Sequence, residues 1–130
     1  MFNLQDKVVL ITGAGGGIGA ATARAMHAVG AKVVLLDVTE NAVQELATEL
    51  GPRTLAMFAS VTSREDLDRA VARAVETFGG IDVVFANAGI ACDPPTTIRN
   101  MDEVTFERVV EVDLLGVWRT VRACLPHRLA

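Results

Sequence analysis

The sequence has no tyrosine, one tryptophan, two cysteines and two histidines among its 130 residues. Without tyrosine, no phenolic hydroxyl is present to act as an acid or base. Cys92 and Cys124 lie far apart and match neither a metal-ligand nor a redox spacing, which points to two reduced thiols. His27 and His127 are equally isolated, so no metal is expected. No apolar run approaches the roughly eighteen residues that cross a membrane. The opening MFNLQDKVVLITG has no basic head before a long apolar stretch, so no secretory signal is expected. Runs of one charge are missing too: a net charge of −4 is spread over interspersed acids and bases, which argues against nucleic acid or an anionic membrane surface as partner. Together these absences describe a cytoplasmic chain without a metal.

What is present is a dense apolar framework, 51% of the residues, enough for one domain over residues 1–130 with a real core. Four short apolar runs, KVVLIT (7–12), KVVLLD (32–37), RTLAMFA (53–59) and IDVVFAN (81–87), alternate with helix-like stretches. Three of the runs are nearly continuous in Val, Leu, Ile or Phe, the signature of strands buried on both faces of a parallel sheet. Between them Ile18, Ala21, Ala25, Met26 and Val29 predict one helical stripe. Ala42, Val43, Leu46, Ala47 and Leu50 predict a second, capped by Thr39 and stopped at Gly51-Pro52. Leu67, Ala70, Val71, Ala74 and Phe78 predict a third, opened by Thr62 and Glu65 at capping-box spacing and closed at Gly79-Gly80. A fourth helix is expected from about residues 100–105 to the residue before Pro126, after a loop over 89–100.

Such alternation predicts an α/β fold with a doubly wound parallel sheet. Right-handed crossovers place the first two helices on one face. With the fourth strand beside the first, in order 3-2-1-4, the third and fourth helices cover the other face, and ligands bind at the switch point between strands one and four. The outer edge of the fourth strand is then open. Alternation sets Ile81, Val83 and Phe85 against Val84 and Ala86, so either facing leaves apolar surface uncovered. About 200 Å² of extra exposure costs about 5 kcal/mol, comparable with a small domain's whole stability. Aggregation, or a homo-oligomer that hides this edge, is the expectation.

The segment LITGAGGGIGAA (10–21) packs five glycines into the seven positions 13–19, directly after the first strand. At that point the unpaired N–H groups and the dipole of the following helix favour a phosphate, and glycine lets the backbone approach it. Gly13 suits a left-handed turn off the strand, Gly17 a face towards a pyrophosphate, and Gly19 close packing of the helix on the sheet. A flexible connection without a ligand would also contain glycine. The distinguishing residue is Asp37, which ends the second strand eighteen positions after Gly19. A carboxylate there accepts hydrogen bonds from both ribose hydroxyls of a dinucleotide and repels a 2′-phosphate. No Arg or Lys stands in the loop or just after Asp37, so NAD is favoured over NADP.

These residues resemble the short-chain dehydrogenase/reductase family. TGAGGGIG (12–19) is similar to that family's Thr-Gly-x-x-x-Gly-x-Gly loop, ANAG (86–89) to its Asn-Asn-Ala-Gly, and FERVVEVDLLGVWRTVRACLPH (106–127) to its long helix with the inner Gly116. The resemblance implies an NAD(P)-binding Rossmann-like fold, truncated after four strands and the long fourth helix. It assigns cofactor contacts to Thr12, Gly13, Gly15, Gly16, Gly17, Ile18, Gly19, Asp37, Ser60, Val61, Asn87, Ala88 and Gly89. Thr12 would tie the loop to the neighbouring strand, and Asn87 would hold the fourth strand and the adenosine side.

Three positions depart from the family pattern. Ser60 stands where an Asp commonly reads the adenine amino group, Ala86 replaces the first Asn of the fourth-strand motif, and Asp113 replaces the Asn of the long helix. Family members that oxidise alcohols or reduce carbonyls use a tyrosine, a lysine four residues later and a serine. This chain has no tyrosine, and its lysines are Lys7 and Lys32. No catalytic residue is therefore assigned. Three readings stay open: the amino-terminal part of an NAD-dependent oxidoreductase, acting on a small alcohol or carbonyl only when the missing half is supplied; a non-catalytic module for NAD or an adenine nucleotide; and a non-functional remnant.

Overall fold

A computed structural model describes residues 3–92 and 95–128, so the centre of the expected 89–100 loop lies outside the described residues. Strands β1 (Val8–Thr12), β2 (Lys32–Asp37), β3 (Thr54–Phe58) and β4 (Val83–Phe85) form one parallel sheet in the order β3-β2-β1-β4. Val8 sits opposite Lys32 and Thr12 opposite Leu36, while Val9 to Ile11 face Val83 to Phe85. The doubly wound topology read from the alternation of elements is the observed one.

Alternate residues of each strand feed two separate cores. Val9, Ile11, Val33 and Leu35 pack with Ala20 and Ala23 of α1 (Gly17–Ala28) and Val43 and Leu46 of α2 (Glu40–Leu50). Val8, Leu10, Val34 and Leu36 pack with Ala70, Val71 and Ala74 of α3 (Arg64–Phe78) and Cys124 of α5 (Gly116–Cys124). Burial on both faces is why Val8–Ile11 of β1 and Val33–Leu36 of β2 are continuously apolar. Each fully buried Val, Leu or Ile contributes about 1.5–3 kcal/mol. Gly51 and Gly79, both at positive φ, end α2 and α3 as the sequence predicts.

Several local expectations are corrected. The α1 stripe is only partly the buried face: Gly19, Ala20 and Ala23 are the buried residues of the helix, whereas Ala21 and Ala25 are exposed and Ile18 is 70% exposed. The predicted Met26, further along the helix, also packs against this core and is half-buried. The α3 cap is Ser63, whose hydroxyl accepts the Asp66 N–H, one residue after the predicted Thr62. Thr39 occupies the α2 cap position without a side-chain bond. β4 is shorter than IDVVFAN, and Ile81 does not share a face with Val83 and Phe85: it is buried on the α3/α5 side with Val84. Its N–H donates to the His127 carbonyl and it bridges to Arg128, so the segment after α5 does reach the β4 edge.

The fourth helix is three pieces: α4 (Glu103–Val110), a π-helical turn (Glu111–Leu115) and α5, followed by a 3₁₀ turn Leu125–His127 that contains Pro126. At Gly116, where α5 begins, a β-carbon would stand 2.5 Å from Val61 Cγ2. The helix is thus held against the segment after β3.

Candidate functional site

The carboxyl ends of all four strands converge on one edge of the sheet. After β1 the chain turns through Gly13, at φ +65°, and Gly17, at φ +55°, into α1. A side chain at Gly13 would bring its β-carbon to 2.9 Å from Ala88 Cα, and one at Gly19 would collide with the Gly13 carbonyl oxygen. The loop is pressed against β4 on that side and open on the other. Around Gly16 and Gly17 nothing lies within 4 Å of where a β-carbon would be. No side chain caps the start of α1 and no acid stands in its first turn, so among the described residues no side chain takes up its first N–H groups.

Thr12 holds this arrangement. Buried at the end of β1, its Oγ1 accepts the N–H groups of both Asn87 and Ala88 at 3.0 Å. The Asn87 amide in turn donates to the carbonyls of Thr12 and Gly13, at 3.3 and 3.4 Å. Asp37, at the end of β2, accepts the Gly15 N–H through Oδ2 at 2.8 Å and the Thr39 N–H through Oδ1 at 2.9 Å. Its carboxylate is thereby aimed beside the glycine loop, with lone pairs left for other donors.

A cleft of about 430 Å³ follows from this edge. Gly13, Asp37, Ser60, Val61, Ala88 and Gly89 among the expected residues line it; Thr12, Asn87 and Gly19 support the backbone behind it, and Gly15 to Ile18 form the adjoining turn. Sequence reasoning missed Val38, Ala59, Thr62, Ile90 and, from α4 and the π turn, Arg108, Glu111 and Val112. The 108, 111, 112 spacing marks one helical face, but only the fold directs that face at the cleft. Ser60 Oγ and Thr62 Oγ1 are 2.7 Å apart. Asp66 Oδ2 accepts the Ser60 N–H at 3.0 Å, and that bond, with Arg69, holds its carboxyl below the usual aspartate range. The π turn presents Asp113, whose Oδ1 accepts the Ile90 N–H at 2.8 Å.

The residues fit a dinucleotide: open glycine backbone and free N–H groups for a diphosphate, a carboxylate one strand away for a ribose, and a half-apolar recess beyond it for a base. Lys7 and Lys32 lie at the opposite ends of their strands, and Lys32 Nζ sits 5.9 Å from the centre of the Phe78 ring. Cys92 and Cys124 are both free, and burial pushes the Cys124 thiol up to about 11. Among the described residues there is no group of three or more His, Cys, Asp or Glu able to hold a metal, and no helix is long and apolar enough to cross a membrane.

Comparison with known proteins gives this geometry its context. The profile of the short chain dehydrogenase family matches residues 7–130. The chain belongs to the short-chain dehydrogenase family. Among its family relatives, the mitochondrial borneol dehydrogenase of Lavandula x intermedia is 38% identical over 129 residues, which are 96% of this chain and 49% of that protein. The cis-4-hydroxycyclohexanecarboxylate dehydrogenase of Sinomonas cyclohexanicum is 39% identical over 127 residues, 96% of this chain and 51% of that one. In three dimensions the chain resembles the 3-ketoacyl-(acyl-carrier-protein) reductase of Brucella melitensis complexed with NADH, with a TM-score of 0.92 and 37% identity over 96% of this chain and 51% of that one. A short-chain dehydrogenase/reductase of Burkholderia phymatum in complex with NAD gives 0.91 and 30%, over 99% and 46%. This family member spans about half the length of the curated relatives it matches.

Proposed function

We propose that residues 1–130 are the dinucleotide-holding part of an NAD-dependent short-chain dehydrogenase/reductase, and that by themselves they bind the cofactor without turnover. One observation carries this reading: the glycine turn with its uncapped helix start, the Asp37 carboxylate and the base recess open onto one continuous edge of the sheet. In this reading the N–H groups around Gly16, Gly17 and Ile18 meet the diphosphate. Gly13, Gly15 and Gly19 shape the turn that presents them. Asp37 takes the ribose hydroxyls, and its charge disfavours a 2′-phosphate, so NAD is preferred to NADP. Ser60 and Val61 meet the adenine, while Asn87, Ala88 and Gly89, tied down by Thr12, form the floor between ribose and base.

A nicotinamide dinucleotide, when bound, supplies the hydride chemistry. Moving the accompanying proton at an alcohol or carbonyl oxygen needs an acid–base group, and neither lysine of this chain stands at the cleft. A small alcohol or carbonyl substrate is thus handled only when residues outside these 130 complete the site. We place the chain in the cytoplasm, with its two thiols reduced, and expect it to self-associate through exposed apolar surface.

Calorimetric titration of the 130-residue chain with NAD, NADP and AMP tests the reading. Heat is expected with NAD and AMP and a weaker response with NADP. No heat with any of the three overturns it, and turnover of NAD with an alcohol by this chain alone overturns the claim of binding without catalysis.

A further inference from the structure

Resting on the reading of the cleft as a dinucleotide site, the base end carries a further inference, about Glu111. Its side chain, on the π turn, lines the cleft. The turn stands beside Val61: the point where a Gly116 β-carbon would sit is 2.5 Å from Val61 Cγ2 and 3.6 Å from the Glu111 carbonyl oxygen. Glu111 thus shares its end of the cleft with Ser60, Val61 and Thr62.

The two carboxylate oxygens of Glu111 are differently placed. Oε1 lies 2.7 Å from Arg119 Nη2. Arg119 Nη1 is buried and meets no acceptor among the described residues, so Glu111 supplies the counter-charge of this guanidinium. Stripping a largely buried guanidinium of its partner is costly, which keeps Oε1 where it is. Oε2 has no partner among the described residues. Arg108, three residues earlier, also lines the cleft but makes no ion pair with it.

The neighbouring acids are committed elsewhere. Asp66 accepts the Ser60 N–H and pairs with Arg69, and Asp113 Oδ1 accepts the Ile90 N–H. Asp37 is bonded to Gly15 and Thr39 at the ribose end. Ser60 Oγ and Thr62 Oγ1, 2.7 Å apart, share one hydrogen between them and carry no charge. A carboxylate oxygen only accepts, so Oε2 requires a ligand that brings a donor. On the base of an adenine dinucleotide that donor is the 6-amino group. A bond to an ionised acceptor is roughly twice as strong as one to a hydroxyl, so the carboxylate outweighs the hydroxyl pair.

We propose that Glu111 reads the base: its Oε2 accepts an N–H from the 6-amino group of adenine, and Arg119, bound to Oε1, is the positioning residue that holds the carboxylate for that bond.

The test is titration of the full chain with NADH and with reduced nicotinamide purine dinucleotide, whose base carries hydrogen at the 6-position, followed by nucleotide fluorescence. NADH is expected to bind about tenfold more tightly. In Glu111→Gln the amide oxygen stays with Arg119 and the NH2 left over only donates, so the ratio is expected to fall within about threefold. Arg119→Leu, with folding checked by circular dichroism, is expected to lower the ratio as well, and Arg119→Lys to keep it, whereas a purely structural role would weaken both nucleotides alike. A native ratio within threefold overturns the proposal without any variant having to fold. An unchanged ratio in Glu111→Gln overturns it too, and an unchanged ratio in Arg119→Leu overturns the role of Arg119. Loss of NADH binding altogether defeats the cofactor reading and this inference with it. NADH binding without preference for the amino group defeats the inference alone.

Discussion

At the scale of single residues, the glycines of the 13–19 turn divide by what surrounds them. Gly19 is wedged against the Gly13 carbonyl and the Asn87 amide, whereas Gly16 has extended backbone, at φ −176°, and open space around it. Gly19→Ala forces a methyl group into a packed contact and is expected to cost about 1–3 kcal/mol of stability, read by denaturant unfolding. Gly16→Ala meets no obstacle, so its unfolding midpoint should match the parent. Its methyl group would nevertheless hold a diphosphate off the α1 N–H groups, and calorimetry with NAD is expected to show roughly tenfold weaker binding. An equal fall in stability for both variants would contradict this division. The glycine spacing and Asp37 were legible in the sequence because each is a strictly local requirement of a strand turning into a helix. Arg108 was not, since nothing within its own segment says what lies across from α4.

At the scale of elements, two polar side chains join strands and helices that the apolar core leaves free to slide. Thr12 Oγ1 is the acceptor for two N–H groups at the end of β4. Thr12→Val keeps the shape, leaves the Ala88 N–H unpaired and leaves the Asn87 N–H only the Phe85 carbonyl, an expected loss of about 1–3 kcal/mol that Thr12→Ser largely restores. Urea melts of the three chains check this, and a valine chain as stable as the parent would remove Thr12 from the role. At α3, Ser63→Ala is expected to cost about 1 kcal/mol through loss of the cap, with little change for Thr62→Ala. Asp66 adds a pH dependence: its folded carboxyl is held low by the Ser60 N–H first and by Arg69. A lowered folded value contributes stability that is present above the ordinary aspartate range and is lost as pH falls through the folded value. Melting temperature should therefore drop more steeply below about pH 4 in the parent than in Asp66→Asn. The sequence located the α3 start within one residue. Ser63 and Thr62 both offer a hydroxyl there, and only the backbone path decides which one meets the free N–H.

At the scale of the whole molecule, the two faces of the sheet are unequal in cover at one end. Leu114 of the π turn is 64% exposed, Trp118 of α5 57% and Leu125 of the 3₁₀ turn 61%, and Val83 in the edge strand is 37% exposed. The isolated bridge from Ile81 to Arg128 covers only the entry to β4. Exposed apolar side chains spaced like Leu114, Trp118 and Leu125, at i, i+4 and i+11 along one helical stretch, favour association. Sedimentation velocity is expected to show concentration-dependent self-association that the pair Leu114→Glu and Trp118→Glu reduces. A single monomeric species across the range, with a cooperative melt, would sink the expectation. Alternation alone placed Ile81 with Val83 and Phe85, because it assumes an unbroken strand. The strand begins only at Val83, which frees Ile81 to turn into the other core.

By itself the sequence determined the alternation of strands with crossover helices, the two-sided burial of β1 and β2, the glycine turn and the carboxylate at the end of β2. Each follows from local periodicity, from the chirality that makes crossovers right-handed, or from backbone freedom that only glycine has. Tertiary structure alone decided that α1 buries Gly19, Ala20 and Ala23 and leaves Ile18 outside, because the distance between helix and sheet is set by both. It also decided that the long helix is broken by a π turn, which packs Gly116 on Val61 and directs Asp113 at the Ile90 N–H. And it alone brought Arg108 into the recess with Ser60 and Thr62. Residues so far apart in sequence meet only once two elements have packed, and no local pattern records that meeting.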